Sequence, residues 1–193
     1  MDRGAGEAEL HDPLRERLAE LLHRQFCETL RSQGYRPGAV TSEAERTHGS
    51  LKPYAELPEH EKEQNRSSVG DIPRKLAAAG YRMVESPGQR TPDPFPPELL
   101  ERLAEEEHDR WMRIKLRDGW RWGPSTDKPN RRHASLVAWR MTAPEELRRR
   151  FSAAEVSAIG PGELSESERD KDREVVRVIP RLLEQVGYTV VRG

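Results

Sequence analysis

Apolar residues recur at helical spacing in four stretches of this chain, and the stretches fall into two pairs. Leu100, Leu103, Trp111 and Ile114 share one arc of a helix at about 100° per residue, with Ala104, His108 and Lys115 at its edge. Pro97 and Gly119 mark the ends of that helix, which is expected to run to about Arg117. An earlier stretch is punctuated in the same way, from Pro13 to about Ser32 with Gly34 as its stop. Each is followed by an irregular polar loop and a second helical stretch. One starts near Pro58 and ends before Gly80; the other starts at a Ser165-x-x-Glu168 capping box and ends before Gly187. Tyr81–Val84 and Thr189–Val191 form short extended tails after them. Pro73 and Pro180 sit inside the second helices, where a missing N–H and a ring clash predict a kink or break.

The pairing is a duplication. Leu18-Ala19-Glu20-x-x-His23 recurs 85 residues later as Leu103-Ala104-Glu105-x-x-His108. The same offset relates Gly34 to Gly119, His48 to His133, Leu51 to Leu136 and Tyr54 to Trp139. From Leu57 and Leu164 onward the offset is 107, carrying Glu61 to Glu168, Asn65-Arg66 to Asp172-Arg173, Ile72-Pro73 to Ile179-Pro180 and Gly80-Tyr81 to Gly187-Tyr188. The second copy therefore holds an insertion of 22 residues, at about 143–163, with an extra helix expected over Pro144–Phe151 and a turn at Gly160-Pro161-Gly162. The organisation is a first half-repeat at 13–84, a proline-rich spacer at 85–97, read as extended and stiff, and a second half-repeat at 98–193.

Composition narrows the class. Helix formers dominate and β-branched runs are nearly absent, which predicts an all-α fold. A formal net charge of −1 argues against general nucleic-acid affinity. Cys27 is the only cysteine, so there is neither an intrachain disulfide nor a cysteine zinc site. The amino terminus lacks an apolar targeting region and no run approaches the ~18 apolar residues of a membrane span. The expectation is a soluble, cytoplasmic protein.

Against that even background, His108–Trp139 stands out. It contains all four tryptophans (111, 120, 122 and 139), with eight Lys or Arg against three Asp. Large π faces interleaved with cations can stack a planar group and hold phosphate or carboxylate. Trp111 can be half core and half wall of a pocket, with His108 and Lys115 beside it; the competing reading is that it is core. Trp120 and Trp122 flank Arg121 on one side of an extended segment, or pack back on the helices. Arg131, Arg132 and His133 offer an anion site or a solvated patch. Asn65-Arg66 and Asp172-Arg173 are read as orienting helices or making surface ion pairs. His23 and Cys27 are spaced as a base and thiol on one helix face, but no orienting acid accompanies them. No metal-ligand spacing, glycine-rich phosphate loop or nucleophile elbow is present, so neither catalytic residues nor metal ligands nor a cofactor are assigned.

Gly119-Trp-Arg-Trp-Gly-Pro124, Arg132-His133-x-x-Leu136-Val137, Leu164 and Glu168-Arg-Asp-Lys-Asp-Arg173 resemble the RyR repeat of ryanodine receptors. So do Leu18-Ala-Glu20, His23, His48, Pro53-Tyr54, Leu57-Pro58 and Glu61-Lys-Glu-Gln-Asn-Arg66. The chain has no pore segment and is similar to the free-standing bacterial type. The resemblance implies two pseudo-symmetric helical half-repeats about a central cleft. It implies a non-enzymatic sensor of an adenine nucleotide or ADP-ribose-like signal, as in antiviral systems, and a possible effector protein as partner. Phe26 and Trp111 would stack the base; His23, His108, Lys115, Arg121, Arg132 and His133 would make polar and anion contacts; Trp120, Trp122 and Trp139 would form walls. The chain departs from the family pattern at Phe26, where the channels carry Trp, and at Pro37-Gly38, which replaces the Trp-Gly-Pro run. The second half should therefore supply most contacts. The alternative is a protein-interaction module with no small-molecule ligand.

Overall fold

A computed structural model describes residues 10–91 and 95–193. The amino-terminal expectation, and the spacer at 92–94, lie outside the described residues. The fold is mostly helical and built from two repeats. In chain order it runs α1 (Asp12–Ser32), β1 (Arg36–Pro37), β2 (Thr47–His48), a 3-10 turn (Tyr54–Glu56), α2 (Glu59–Gly70), α3 (Ile72–Ala78) and β3 (Tyr81–Glu85). It continues with α4 (Pro97–Arg117), β4 (Arg121–Trp122), β5 (Arg132–His133), β6 (Val137–Ala138), α5 (Pro144–Leu147), α6 (Ala153–Ala158), β7 (Gly160–Glu163), α7 (Glu166–Arg177), α8 (Ile179–Glu184) and β8 (Tyr188–Arg192).

The two repeats share local construction down to single backbone angles. After each long helix a glycine takes a left-handed turn, Gly34 at φ 82° and Gly119 at φ 82°, a conformation that costs a side-chain-bearing residue. The loop that follows closes as a two-residue parallel ladder, Arg36–Thr47 and Pro37–His48 in one copy, Arg121–Arg132 and Trp122–His133 in the other. At equivalent positions two arginines also have positive φ, Arg46 at 49° and Arg131 at 51°. Each sends its guanidinium to the carbonyl at the end of its long helix: Arg46 to Gln33 at 2.7 Å, Arg131 to Asp118 at 2.9 Å. Those carbonyls lack intrahelical partners, so the arginines act as carboxyl-terminal caps. Arg131 is thus a loop-closing residue, which takes it out of the anion site that is one of the two readings of Arg131, Arg132 and His133.

The prolines break their helices as expected. α2 ends at Gly70 and α3 begins at Ile72 with Pro73 in its first turn; α7 ends at Arg177 and α8 begins at Ile179 with Pro180 in its first turn. Arg66 bonds Glu16, Glu59 and Glu63, joining α1 to α2. Its counterpart Arg173 bonds Glu101, Glu166 and Asp170, joining α4 to α7. These are the helix-orienting pairs read from the sequence.

Chain contacts divide the molecule into two compact units, one comprising Met1–Asp93 with Val178–Gly193, the other Pro94–Arg177. This division does not follow the repeat boundary, because α8 and β8 belong with the first unit. There β8 pairs antiparallel with β3, from Tyr81–Arg192 to Glu85–Tyr188, over a core that includes Leu18, Leu57, Val69, Leu76, Leu182 and Leu183. The two tails expected separately are one ribbon. Nor does the spacer begin as an extended rod. Gln89 N donates to Ser86 O, and Thr91 is held by Glu184 and Val190.

The second unit packs Met112, Leu136, Ala138, Leu147 and Phe151 together. Two expectations for the insertion change. The extra helix is a single turn, α5, followed by α6, which has a full Ser152–Glu155 capping box. Gly160-Pro161-Gly162 is not a free turn but part of β7, which runs parallel to β6. At the Ser165–Glu168 start of α7, Ser165 Oγ accepts from Glu168 N at 3.4 Å, while the Glu168 carboxylate bonds Ser135 and Lys171. Among the described residues, no helix is long and apolar enough to cross a membrane.

Candidate functional site

Each repeat carries a chain of four rings in the same order. In the first unit Tyr54, His23, Phe26 and His48 follow one another at centroid distances of 6.0, 5.9 and 5.2 Å. In the second, Trp139, His108, Trp111 and His133 do so at 6.0, 5.6 and 4.9 Å. Interplanar angles match as well: Phe26–His48 meet at 75° and Trp111–His133 at 74°. The inner two members of each chain are on a long helix, three residues apart, and the outer ones are supplied by the loop.

The buried end of the second chain of rings, Trp139 and His108, is structural. Trp139 is only 1% exposed; its Nε1 donates to Glu101 at 3.0 Å, and Arg169 and Arg173 stand over its ring. It is core and not a wall of a site. His108 is also buried. Its Nε2 donates to Val137 O at 2.9 Å, and its Nδ1 faces Asp172 at 3.2 Å. A carbonyl can only accept, so Nε2 carries a proton and a second proton lies between Nδ1 and the carboxyl. Burial pushes the Asp172 carboxyl up, against the opposing pull of His108. Both ring nitrogens being engaged, His108 has none left for a ligand. His23 repeats only the first of these contacts: its Nε2 lies 2.7 Å from Lys52 O and 3.3 Å from Cys27 Sγ. Burial pushes the Cys27 thiol up, the reverse of an activated nucleophile.

Of four further sequence candidates, two change role and two stand apart. Trp122 is half-buried against the insertion; Gly160 lies beneath its indole so closely that a Cβ there would overlap the ring. Arg132 runs across Gly123 and donates to Trp122 O at 3.1 Å, closing the β4–β5 loop. Arg121 is exposed on β4. Phe26 is 39% exposed and belongs to the other compact unit.

What the second unit does bring together is Trp111, Trp120, Lys115 and His133. All four are half-buried. Lys115 and Trp111 are one turn apart on α4, and Trp120 follows the helix end, where its N–H bonds Lys115 O at 2.9 Å. That places the Lys115 ammonium 4.5 Å from the Trp120 ring centroid and 5.9 Å from that of Trp111. His133 meets Trp111 at 4.9 Å and Trp120 at 6.1 Å, edge to face. Ser135 N donates to His133 Nδ1 at 3.1 Å, which orients the imidazole. Desolvation, with Lys115 second, lowers the His133 pKa from 6.5 to about 4. His133 is therefore a neutral polar group at this surface. The equivalent positions of the first unit are Phe26, Tyr35, Leu30 and His48, so the ammonium is peculiar to the second copy.

The depressed pKa carries a stability consequence. The unfolded chain takes up a proton near pH 6.5 that the folded chain refuses until about pH 4, so stability falls as pH drops through that window. The full shift corresponds to roughly 3 kcal/mol at most, reduced by solvent screening of a half-buried ring. Urea denaturation between pH 7 and 4 should show this loss in the wild type and a shallower slope in His133→Asn. Equal slopes would show that His133 is not the titrating group.

Sequence reasoning did not find the partners that fix these rings: Ser135 for His133, Asp172 for His108, Glu101 for Trp139 and Gly160 for Trp122. Only Asp172 had a signal, as part of the repeated Asn65-Arg66/Asp172-Arg173 pair. Comparison with known families returns the description "RyR domain", matching residues 8–85 and 96–159, one match for each repeat. With most of the chain covered and both copies matched, this protein belongs to the RyR domain family.

Proposed function

We propose that this chain is a non-catalytic binding module for an adenine nucleotide or ADP-ribose-like metabolite, with Trp111, Trp120, Lys115 and His133 of the second unit as its contact surface. The observation that carries this reading is the Lys115 ammonium held against two half-buried indoles. Indole faces stack on a base in a sequence-tolerant way, and an ammonium beside them complements phosphate. The first unit supports it by contrast, since Leu30 stands where Lys115 does and makes that copy a poorer anion site.

Calorimetric titration with AMP, ADP-ribose, NAD, ATP and a cyclic dinucleotide tests the reading. Binding of at least one is expected in the wild type, weakened in Trp120→Ala by about 1–3 kcal/mol, the contribution of one stacked base. Trp120 is the variant of choice because it borders the core without lying in it. If none of the five gives heat or raises the melting temperature at millimolar concentration, the small-molecule reading fails. The family then serves here as a protein-interaction module.

A further inference from the structure

The orientation of His133 assigns it a more specific task. Its Nδ1 accepts from Ser135 N, so that nitrogen presents a lone pair and the neutral ring must carry its proton on Nε2. The arrangement belongs to the repeat, for Ser50 N donates to His48 Nδ1 at the same 3.1 Å. Among the described residues, no protein group accepts from His133 Nε2. The charged and titratable groups facing the ring are Lys115 and His108 from α4 and Glu168 and Lys171 from α7. Of these, Glu168 is turned to Ser135 Oγ at 3.1 Å and to Lys171, and His108 to Val137 and Asp172. From β5 itself, Arg132 is turned to Trp122 O. At this surface the ring therefore presents one fixed, uncharged N–H, with the Lys115 ammonium of α4 near it.

We infer that His133 is the specificity-determining donor of this surface, its Nε2–H reading an uncharged acceptor on the base or sugar of the ligand while Lys115 takes the anionic group. The inference rests on the binding role proposed above. The division of labour follows from the chemistry of the two groups. An ammonium on a flexible four-carbon stem follows charge and tolerates varied geometry. A ring nitrogen locked by a backbone N–H offers one direction only. A ligand that covers it without an acceptor leaves a donor desolvated and unpaired, which is how a site rejects close analogues. A cationic or donor-edged planar ligand is excluded by the same surface, since both groups there are donors.

The test uses the full chain with AMP and adenosine as probes, followed by NMR titration, in wild type, His133→Phe, His133→Gln and Lys115→Met. His133→Phe should weaken both probes by a similar factor of about ten, the effect of a lost donor. His133→Gln, which keeps an N–H, should recover much of the loss. Lys115→Met should weaken AMP and leave adenosine nearly unchanged. If His133→Phe spares adenosine and weakens only AMP, the imidazole reads the phosphate and the inference is overturned; it is equally overturned if both probes bind that variant as they bind the wild type. Wild type that binds ADP-ribose, NAD, ATP or the cyclic dinucleotide but neither probe keeps the binding role and overturns this inference; wild type that binds none of these ligands removes the binding role, and the inference with it. Should His133→Phe fail to fold, the wild-type imidazole decides. Its nitrogen-15 spectrum must show the Nε2–H form at pH 7 and a shift of that nitrogen on adding adenosine. An Nδ1–H form, or an unmoved Nε2, refutes the assignment.

Discussion

Trp139→Ala should cost about 3–5 kcal/mol, the range for emptying a buried indole site, and is expected to unfold the second unit at moderate temperature. The ring is buried, lies against Arg169 and Arg173 of α7, and bonds Glu101 on α4. Its removal leaves a cavity at the junction of the two helices and deprives Glu101 of one of two kinds of partner. Arg173 hydrogen-bonds that carboxyl and, with Trp139, holds it below the usual carboxylate range. Trp139→Phe keeps a ring and loses the Nε1 donor, so it should forfeit a smaller part of the stability. Thermal melts followed by circular dichroism compare the two. An alanine variant as stable as the wild type would mean that the indole is not part of the core that joins α4 to α7.

His108→Ala is expected to be comparably severe, roughly 3–5 kcal/mol, because it strands groups as well as opening space. Val137 O loses its donor and the Asp172 carboxyl loses the imidazole that shares its proton. If stranding dominates, the effects of His108→Ala and Asp172→Ala should not add. The double variant should be less destabilised than the sum of the singles, since the carboxyl left behind by the first change is removed by the second. Chemical denaturation of the three variants gives the coupling, and simple additivity would contradict the shared-proton pair.

Much of the architecture was readable before the structure because the repeat imposes the same local demands twice. A left-handed turn after a long helix calls for glycine, and Gly34 and Gly119 supply it. A helix that must bend before its last turns calls for proline at one register, and Pro73 and Pro180 supply that. Such signals lie within a few residues of their effect. The candidate site was half readable for the same reason. Trp111, Lys115 and Trp120 are brought together by one helix and its end, whereas the roles of Trp139, His108, Trp122 and Arg132 depend on partners elsewhere in the chain. Gly160 shows the limit most clearly. Between Ile159 and Pro161 it looks like a turn residue, yet its missing side chain is needed by an indole 38 residues earlier in sequence. The Arg-Arg-His run misled in the opposite direction. Two of its members satisfy backbone carbonyls and the third is neutral.

The ribbon of β3 and β8 bears on how the chain comes off the ribosome. Tyr81 pairs with Arg192, so the strand that completes the first compact unit is made only after the whole of the second has been synthesised. The amino-terminal helices must wait, with the edge of β3 unpaired, while the later segment forms around its own rings. Pairing over so great a sequence separation closes slowly. A chain stalled before α8 would expose both that edge and the apolar surface that Leu182 and Leu183 cover. For a nascent chain of this design, β8 decides whether the helices made long before it are safe from aggregation.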